Sequence, residues 1–355
     1  MAPMVLHLGA GQKLTSYVPG HHGNLLGRMI GSTLDDACRD RLLVLVTAMK
    51  ISHFSIHSFP PAELLNNLVR FFFIQESASL APSIHAGTFS CYHARPELLL
   101  GIIAASAVIV PERRIQVTRL VMHEILRRAT GQLYESDNST TRDLQALQAY
   151  LRALEVGAWS GLRRKTEIAC SFMQPGYTML FQAGAFSSPP QPDLARHLEH
   201  GAEELDAVWK SWAMKESLKR LAIRAFIHDS QVSMAYFQAP AISYAELNMA
   251  VPYPPNVWFA ESPEEWRREF LFCMGPPATI RTPLLGPRSQ KTPNGFMVYE
   301  PTTRPVPRSD RYPYVLEGES EARRVEPIVA YLVTEVQRGL RLRSLITTAQ
   351  PIAVP

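Results

Sequence analysis

Apolar residues recur three or four apart over most of the chain, the spacing that gathers them on one face of a helix. Residues 1–33, rich in Gly, His and Ser, carry no such period and are expected to form a flexible lead-in. The period begins after Asp35 and Asp36, either of which can cap a helix carrying Leu42, Leu43, Val46 and Met49. Pro60-Pro61 breaks it. Pro61 suits the first turn of the next helix, with Glu63 near its positive end and Leu64, Leu65, Leu68 and Phe72 following. An extended piece around Pro82 leads to a helix that starts near Arg95-Pro96-Glu97. It is expected to run through the apolar stretch 98–110 and stop at Pro111.

Helical spacing resumes over 113–130 with Ile115, Leu120, Ile125 and Leu126, and Gly131 is placed to close that helix. Asp137 to Thr140 reads as a turn, and 142–160 sets Leu144, Leu147, Leu151 and Leu154 on one face. Two further long helical patterns cover 162–186 and 199–236, separated by Pro189, Pro190 and Pro192. No period-two run with hairpin chemistry stands out, so the fold is expected to be all-α. The last third differs: residues 240–313 hold 14 of the 28 prolines, interrupted by one short helix over 263–274. Such a stretch must be largely extended or turn-like. A final helix over 319–344 ends with Arg338, Arg341 and Arg343, cations that suit a helix C-terminus. The expected organisation is a lead-in (1–33), a helical domain (34–275), a Pro-rich connector (276–318) and a C-terminal helix and tail (319–355). No repeat of fixed period appears.

Composition narrows this picture. The chain has 355 residues, 46% hydrophobic and 19% charged, enough for a sizeable core and incompatible with wholesale disorder. The formal charge of +4 is spread along the length and gives weak reason to expect nucleic acid. Four scattered cysteines, Cys38, Cys91, Cys170 and Cys273, exclude a disulfide scaffold and fit a reducing intracellular compartment. The longest apolar run falls short of the roughly 20 residues that span a bilayer, and the first residues do not read as a secretory signal. No membrane association is expected.

Motifs for catalysis and metal binding are mostly absent. Gly9-Ala10-Gly11 follows no strand, and Leu14 stands where a dinucleotide fingerprint has its third glycine. There is no GxxxxGK[ST] and no GxSxG. His53 and His57 have metal-pair spacing without an HExxH. His197 and His200, beside Glu199 and Glu203, read as a solvated helix start, and Cys91-Tyr92-His93 lacks two further ligands at useful spacing.

The informative segment is 209–270. At about 100° per residue, Trp209, Trp212, Ala213, Ile223 and Ile227 share one side of a helix. Glu216 and Arg220 fall on that side too, an acid-then-base pair at i,i+4. Flanked by tryptophan, the pair should be largely buried; its first reading is a specificity device in a core. Asp229, on the same helix, reads as a second ionic anchor.

These residues resemble the fungal-specific transcription factor regulatory domain, the helical middle region found downstream of zinc-cluster or Cys2His2 fingers. Its pattern W-x-x-W-x-x-x-E-x-x-[KR]-R looks like Trp209, Trp212, Glu216, Lys219 and Arg220, with Asp229 after it. Ala239-Pro240-Ala241-Ile242-Ser243, Glu246-Leu247, Val251-Pro252, Trp258 and Trp266 continue the series in order. Upstream, His85, Gly87, Thr88 and Phe89 look like the family's His-x-Pro-Thr-Phe, and Pro96-Glu97-Leu98-Leu99-Leu100 like its Pro-Glu-Leu-Leu-Leu helix. Gly87 stands where the family usually has proline, Ser106 where glycine is common and Val251 where leucine is usual. The resemblance covers roughly residues 70–275.

The resemblance implies a nuclear regulatory domain that controls transcription by RNA polymerase II, without catalytic residues. It implies partners such as a homodimer or full-length relative and a small-molecule effector held between helices. No cofactor is expected in this chain, because neither zinc-finger cysteine pattern is present; zinc would enter only with a finger module upstream, and DNA only through such a module or indirectly. Two other classes stay open at this point: an α-helical enzyme or small-molecule-binding protein of a metabolic cluster, and a dimerising scaffold with no DNA binding of its own.

Overall fold

The computed structural model describes residues 33–49, 59–108, 110, 112–187, 202–243 and 246–274, with the residue pairs 4–5, 54–55, 290–291 and 297–298. The fold is all-α. Extended pairing among the described residues is confined to two-residue bridges, Met4–Val5 parallel to Phe54–Ser55 and Gln290–Lys291 antiparallel to Met297–Val298. The Pro189–Pro192 gap, the connector at 276–318 and the final helix at 319–344 lie outside the described residues, as does nearly all of the lead-in.

Helix α1 (Asp36–Ala48) is capped by Asp35, whose carboxylate accepts the Cys38 N–H at 2.9 Å. Helix α2 (Ala62–Ser77) has Pro61 as its N-cap, one step outside the first turn. Helix α3 (Pro96–Ser106) opens on Pro96 and stops short of Pro111. The reason lies in the next helix: the Gln116 amide donates to the carbonyls of Ala107, Val108 and Val110 at 2.8, 3.1 and 2.6 Å. The carbonyls past the end of α3 are satisfied without further helix.

Helix α4 (Arg113–Ser136) runs straight through Gly131 rather than ending there. Beyond the glycine, Tyr134 packs edge-on against Tyr150 with ring centroids 5.6 Å apart, a tertiary contact that outweighs the roughly 1 kcal/mol helix penalty of glycine. A 3-10 turn (Asn138–Arg142) capped by Asp137 leads to α5 (Leu144–Ala158), capped by Asp143. The pattern at 162–186 divides into α6 (Arg163–Ser171) and α7 (Met173–Gln182). Pro175 sits in the first turn of α7; having no N–H and a bulky ring, it prevents one continuous helix through Ser171. Then come the long α8 (Ala202–Tyr236), the single turn α9 (Pro255–Trp258) and α10 (Pro263–Met274), the last at the expected bounds.

Among the described residues, three apolar clusters form the core. The first surrounds α3, which is apolar and buried on all sides, and joins it to α1, α2 and α4. Close helix approach is written into the sequence at Gly101, where a Cβ would lie 3.2 Å from Arg152 Cβ of α5. The second cluster joins α5, α6, α7 and the later half of α8 with Ile242, Leu247 and Met249. The third sets the first half of α8 against α9 and α10. Helix α5 serves the first two clusters and α8 the last two, so these two helices hold the domain together.

Candidate functional site

The tryptophan side of α8 is buried as its spacing predicts: Trp209, Trp212 and Ala213 meet Trp258, Trp266 and Phe270 in the third cluster. The helical wheel misplaces the later positions. Ile223 belongs to the second cluster and Ile227 only packs partly against it. Between Glu216 and Asp229 the helix is covered on nearly every side, with Leu221, Ala222, Ala225 and Phe226 also buried. A one-sided wheel cannot describe a helix that passes between two clusters.

Glu216 and Arg220 pair as expected, Oε1 to Nε at 3.0 Å, with both side chains at most 2% exposed. The geometry goes further than an i,i+4 pair. The Tyr253 N–H donates to Glu216 Oε1 at 2.8 Å, and Arg220 Nη2 donates to the Tyr253 carbonyl. The pair therefore grips both polar groups of one peptide residue. Tyr253 lies in the run Pro252-Tyr253-Pro254-Pro255, and prolines have no N–H. Its amide is the sole main-chain donor of that run, and one carboxylate satisfies it.

Lys219 Nζ lies 2.7 Å from Glu216 Oε2, so two cations share one carboxylate. Aromatic faces take up the surplus charge. Arg220 sits over the Trp258 ring at 4.3 Å and Lys219 over the Tyr253 ring at 5.1 Å.

His85 enters this cluster from the α2–α3 connection. Its Nδ1 accepts the Thr88 N–H at 3.1 Å, capping a 3-10 turn (Ala86–Thr88). Its ring meets Trp209, Trp212 and Trp258 edge-on at 5.5, 5.9 and 4.8 Å. Burial, then the Arg220 guanidinium, push its pKa down to about 3, so the ring is neutral. Gly87 is required beside it: a Cβ there would lie 2.8 Å from the Ala260 carbonyl oxygen and 2.9 Å from Trp209 Cζ2. The indole nitrogens of Trp209, Trp212 and Trp266 have no hydrogen-bond partner, so ring packing holds the cluster together.

The other sequence-selected residues lie apart from this clamp. Asp229 accepts the N–H groups of Ala241 and Ile242, both at 2.9 Å, and anchors the chain after α8; burial raises its pKa. Pro240 is exposed and precedes that anchor. Glu246 is exposed and accepts the Ser243 N–H at 2.6 Å in a local turn. Pro252 is buried next to Tyr253. Phe89 packs on Phe73 at 5.0 Å in the first cluster, and Pro96 only starts α3.

A second buried polar centre escaped the sequence reading. Arg152 of α5 bonds Glu76 of α2 at 2.7 Å and Glu155 at 3.0 Å. Arg224 of α8 reaches the same two acids, Glu155 at 2.5 Å and Glu76 at 3.3 Å. The four charges close a neutral ring across three helices. Ser83 N–H adds a bond to Glu76 at 2.9 Å, and Gln148 donates to the Ser83 carbonyl at 2.7 Å. Despite burial, Arg224 and Arg152 hold the Glu155 carboxyl down to about 2. The one local hint was an Arg152–Glu155 spacing inside a Leu/Ala-rich helix. Elsewhere, among the described residues, no group of three or more His, Cys, Asp or Glu is placed to hold a metal, and no helix is long and apolar enough to cross a membrane. The paired histidines His53/His57 and His197/His200 lie outside the described residues.

The family described as "Fungal specific transcription factor domain" matches residues 69–282. "Transcription factor opdJ" of Penicillium oxalicum is 26% identical over 221 residues, covering 60% of this chain and 25% of that protein. "Transcription factor 1" of Elsinoe fawcettii is 24% identical over 271 residues, covering 75% of this chain and 27% of its own length. The "Nicotinate catabolism cluster-specific transcription factor" of Emericella nidulans is 35% identical over 68 residues, which is 19% of this chain and 8% of that protein. The chain thus spans about a quarter of the first two relatives. No solved structure matches it.

Proposed function

The chain belongs to the fungal specific transcription factor domain family, and from that membership we propose that it is the regulatory part of a nuclear factor acting on RNA polymerase II transcription. It acts by binding rather than by catalysis. Sequence-specific DNA contact belongs to a finger module elsewhere in the working protein or assembly, and any zinc belongs there too. The partners are a second copy or a full-length relative, and a small effector received between helices.

The observation that carries this reading is the family match over 69–282, a stretch that contains the buried α8 clamp. The clamp has the character of an architectural device: both cations and the carboxylate are committed to one another and to Tyr253, leaving no free group for chemistry. The signature residues Trp209, Trp212, Glu216, Arg220, Trp258 and Trp266 are proposed as the framework that fixes the shape of an interaction surface.

A tethering experiment tests the proposal. The full chain is fused to a DNA-reading module of known site, and transcription from a reporter carrying that site is measured. The expected result is a change in output relative to the module alone. A folded, nuclear fusion that leaves the reporter at the level of the bare module would contradict the regulatory role.

A further inference from the structure

We propose that the end of α5 and the last turns of α8 form a binding site for a small, neutral, planar aromatic molecule carrying a hydroxyl group, which stacks on Trp159 and Tyr236 and hydrogen-bonds to His228. Arg224, His228, Val232 and Tyr236 are spaced four apart and share one face of α8. That face runs along the end of α5: Arg224 bonds Glu155 at 2.5 Å, and the Tyr236 hydroxyl donates to the Ala158 carbonyl at 3.3 Å. The same carbonyl accepts the Thr166 hydroxyl at 3.1 Å. Trp159, the C-cap of α5, stacks on Tyr236 with ring centroids 6.2 Å apart and planes 23° apart. Trp159 and Tyr236 are 45% and 43% exposed, so a fixed pair of aromatic rings presents apolar surface to solvent.

His228 is the independent observation. Its ring meets the Trp159 ring edge-on, with centroids 6.5 Å apart and planes at 88°, yet the residue is only 2% exposed. Among the described residues, neither of its nitrogens has a hydrogen-bond partner. A buried polar group left without a partner is costly and rare in a folded core. Burial pushes the His228 pKa down, so the ring is neutral and offers one N–H donor and one bare nitrogen acceptor. A hydroxyl suits either nitrogen, because it both donates and accepts.

The neighbouring charges select a neutral ligand. Arg224, one turn before His228, is committed to Glu155 and Glu76, and Arg152 to the same two acids. A ligand carboxylate would gain neither guanidinium and would meet the field of Glu155, which already acts on His228. The site gives a place and a chemical class to the small effector of the regulatory reading, and rests on that reading only in its biological use. Binding is measured without transcription. A chain that binds but leaves a reporter unchanged loses only the regulatory role; one that moves the reporter without binding loses only the site.

The test is equilibrium dialysis of the full chain at neutral pH against 2-naphthol, naphthalene and 2-naphthoate. The expected result is saturable binding of one 2-naphthol per chain, with naphthalene and 2-naphthoate each several-fold weaker. His228→Phe keeps a ring in place but removes both nitrogens, and should abolish the preference for naphthol over naphthalene. Trp159→Ala, at a half-exposed position, should weaken 2-naphthol about tenfold or more, and it carries the test if His228→Phe fails to fold. Phe272→Ser, at an exposed apolar position on α10, should bind as wild type does. The site is overturned if wild type shows no saturable binding of 2-naphthol, if Trp159→Ala binds undiminished, if folded His228→Phe keeps the naphthol preference, or if Phe272→Ser weakens binding as much as Trp159→Ala.

Discussion

At the residue scale, the buried histidines set how the domain responds to acid. His85 and His123 are held neutral, with pKa values near 3 and 4, against about 6.5 in an unfolded chain. The unfolded state therefore takes up their protons first. Stability is complete above about pH 6.5 and falls as the pH drops towards the folded values, by up to about 1.4 kcal/mol per pH unit for each histidine. Glu124 and Glu155, lowered to about 2, add a second loss below about pH 4.5. Urea midpoints should hold between about pH 7.5 and 6.5 and decline by about pH 5; a flat midpoint over that whole range would refute neutral, buried imidazoles. At this scale the sequence showed which residue types mattered but not their partners. The Glu216–Arg220 pair was legible because both ends lie on one helix. The Tyr253 grip was not, because it joins residues 37 positions apart.

At the element scale, the helices were legible wherever periodicity and end signals agreed, as for α1 with its Asp35 cap and α10 at Pro263–Met274. Two of the misses share a cause: a contact from a neighbouring helix replaced a local signal. Gln116 ended α3 before its proline, and Tyr134 carried α4 past Gly131. A Cβ at Gly131 would meet nothing within 4 Å, and the position is helical. Gly131→Ala should therefore stabilise the domain by about 0.5–1 kcal/mol. Chemical unfolding reads this directly, and a loss of stability would show that the glycine has a role in the native packing of α4.

At the scale of the whole molecule, α5 and α8 thread three apolar clusters, and two buried polar locks tie the helices together. The ring of Glu76, Arg152, Glu155 and Arg224 joins α2, α5 and α8. The clamp of Glu216 and Arg220 joins α8 to the proline-rich run leading into α9 and α10. The first was invisible in sequence because its members sit on three helices far apart. Such locks add little net stability relative to apolar replacements, but removing one partner strands the other. The central claim is that Glu216 and Arg220 act as one unit. A double-mutant cycle of Glu216→Gln, Arg220→Met and the double variant, followed by urea unfolding with tryptophan fluorescence, tests it most directly. Each single change should cost about 3–5 kcal/mol, and the double variant should cost at least about 2 kcal/mol less than their sum. Additive losses would mean that the two residues act separately and that no clamp exists.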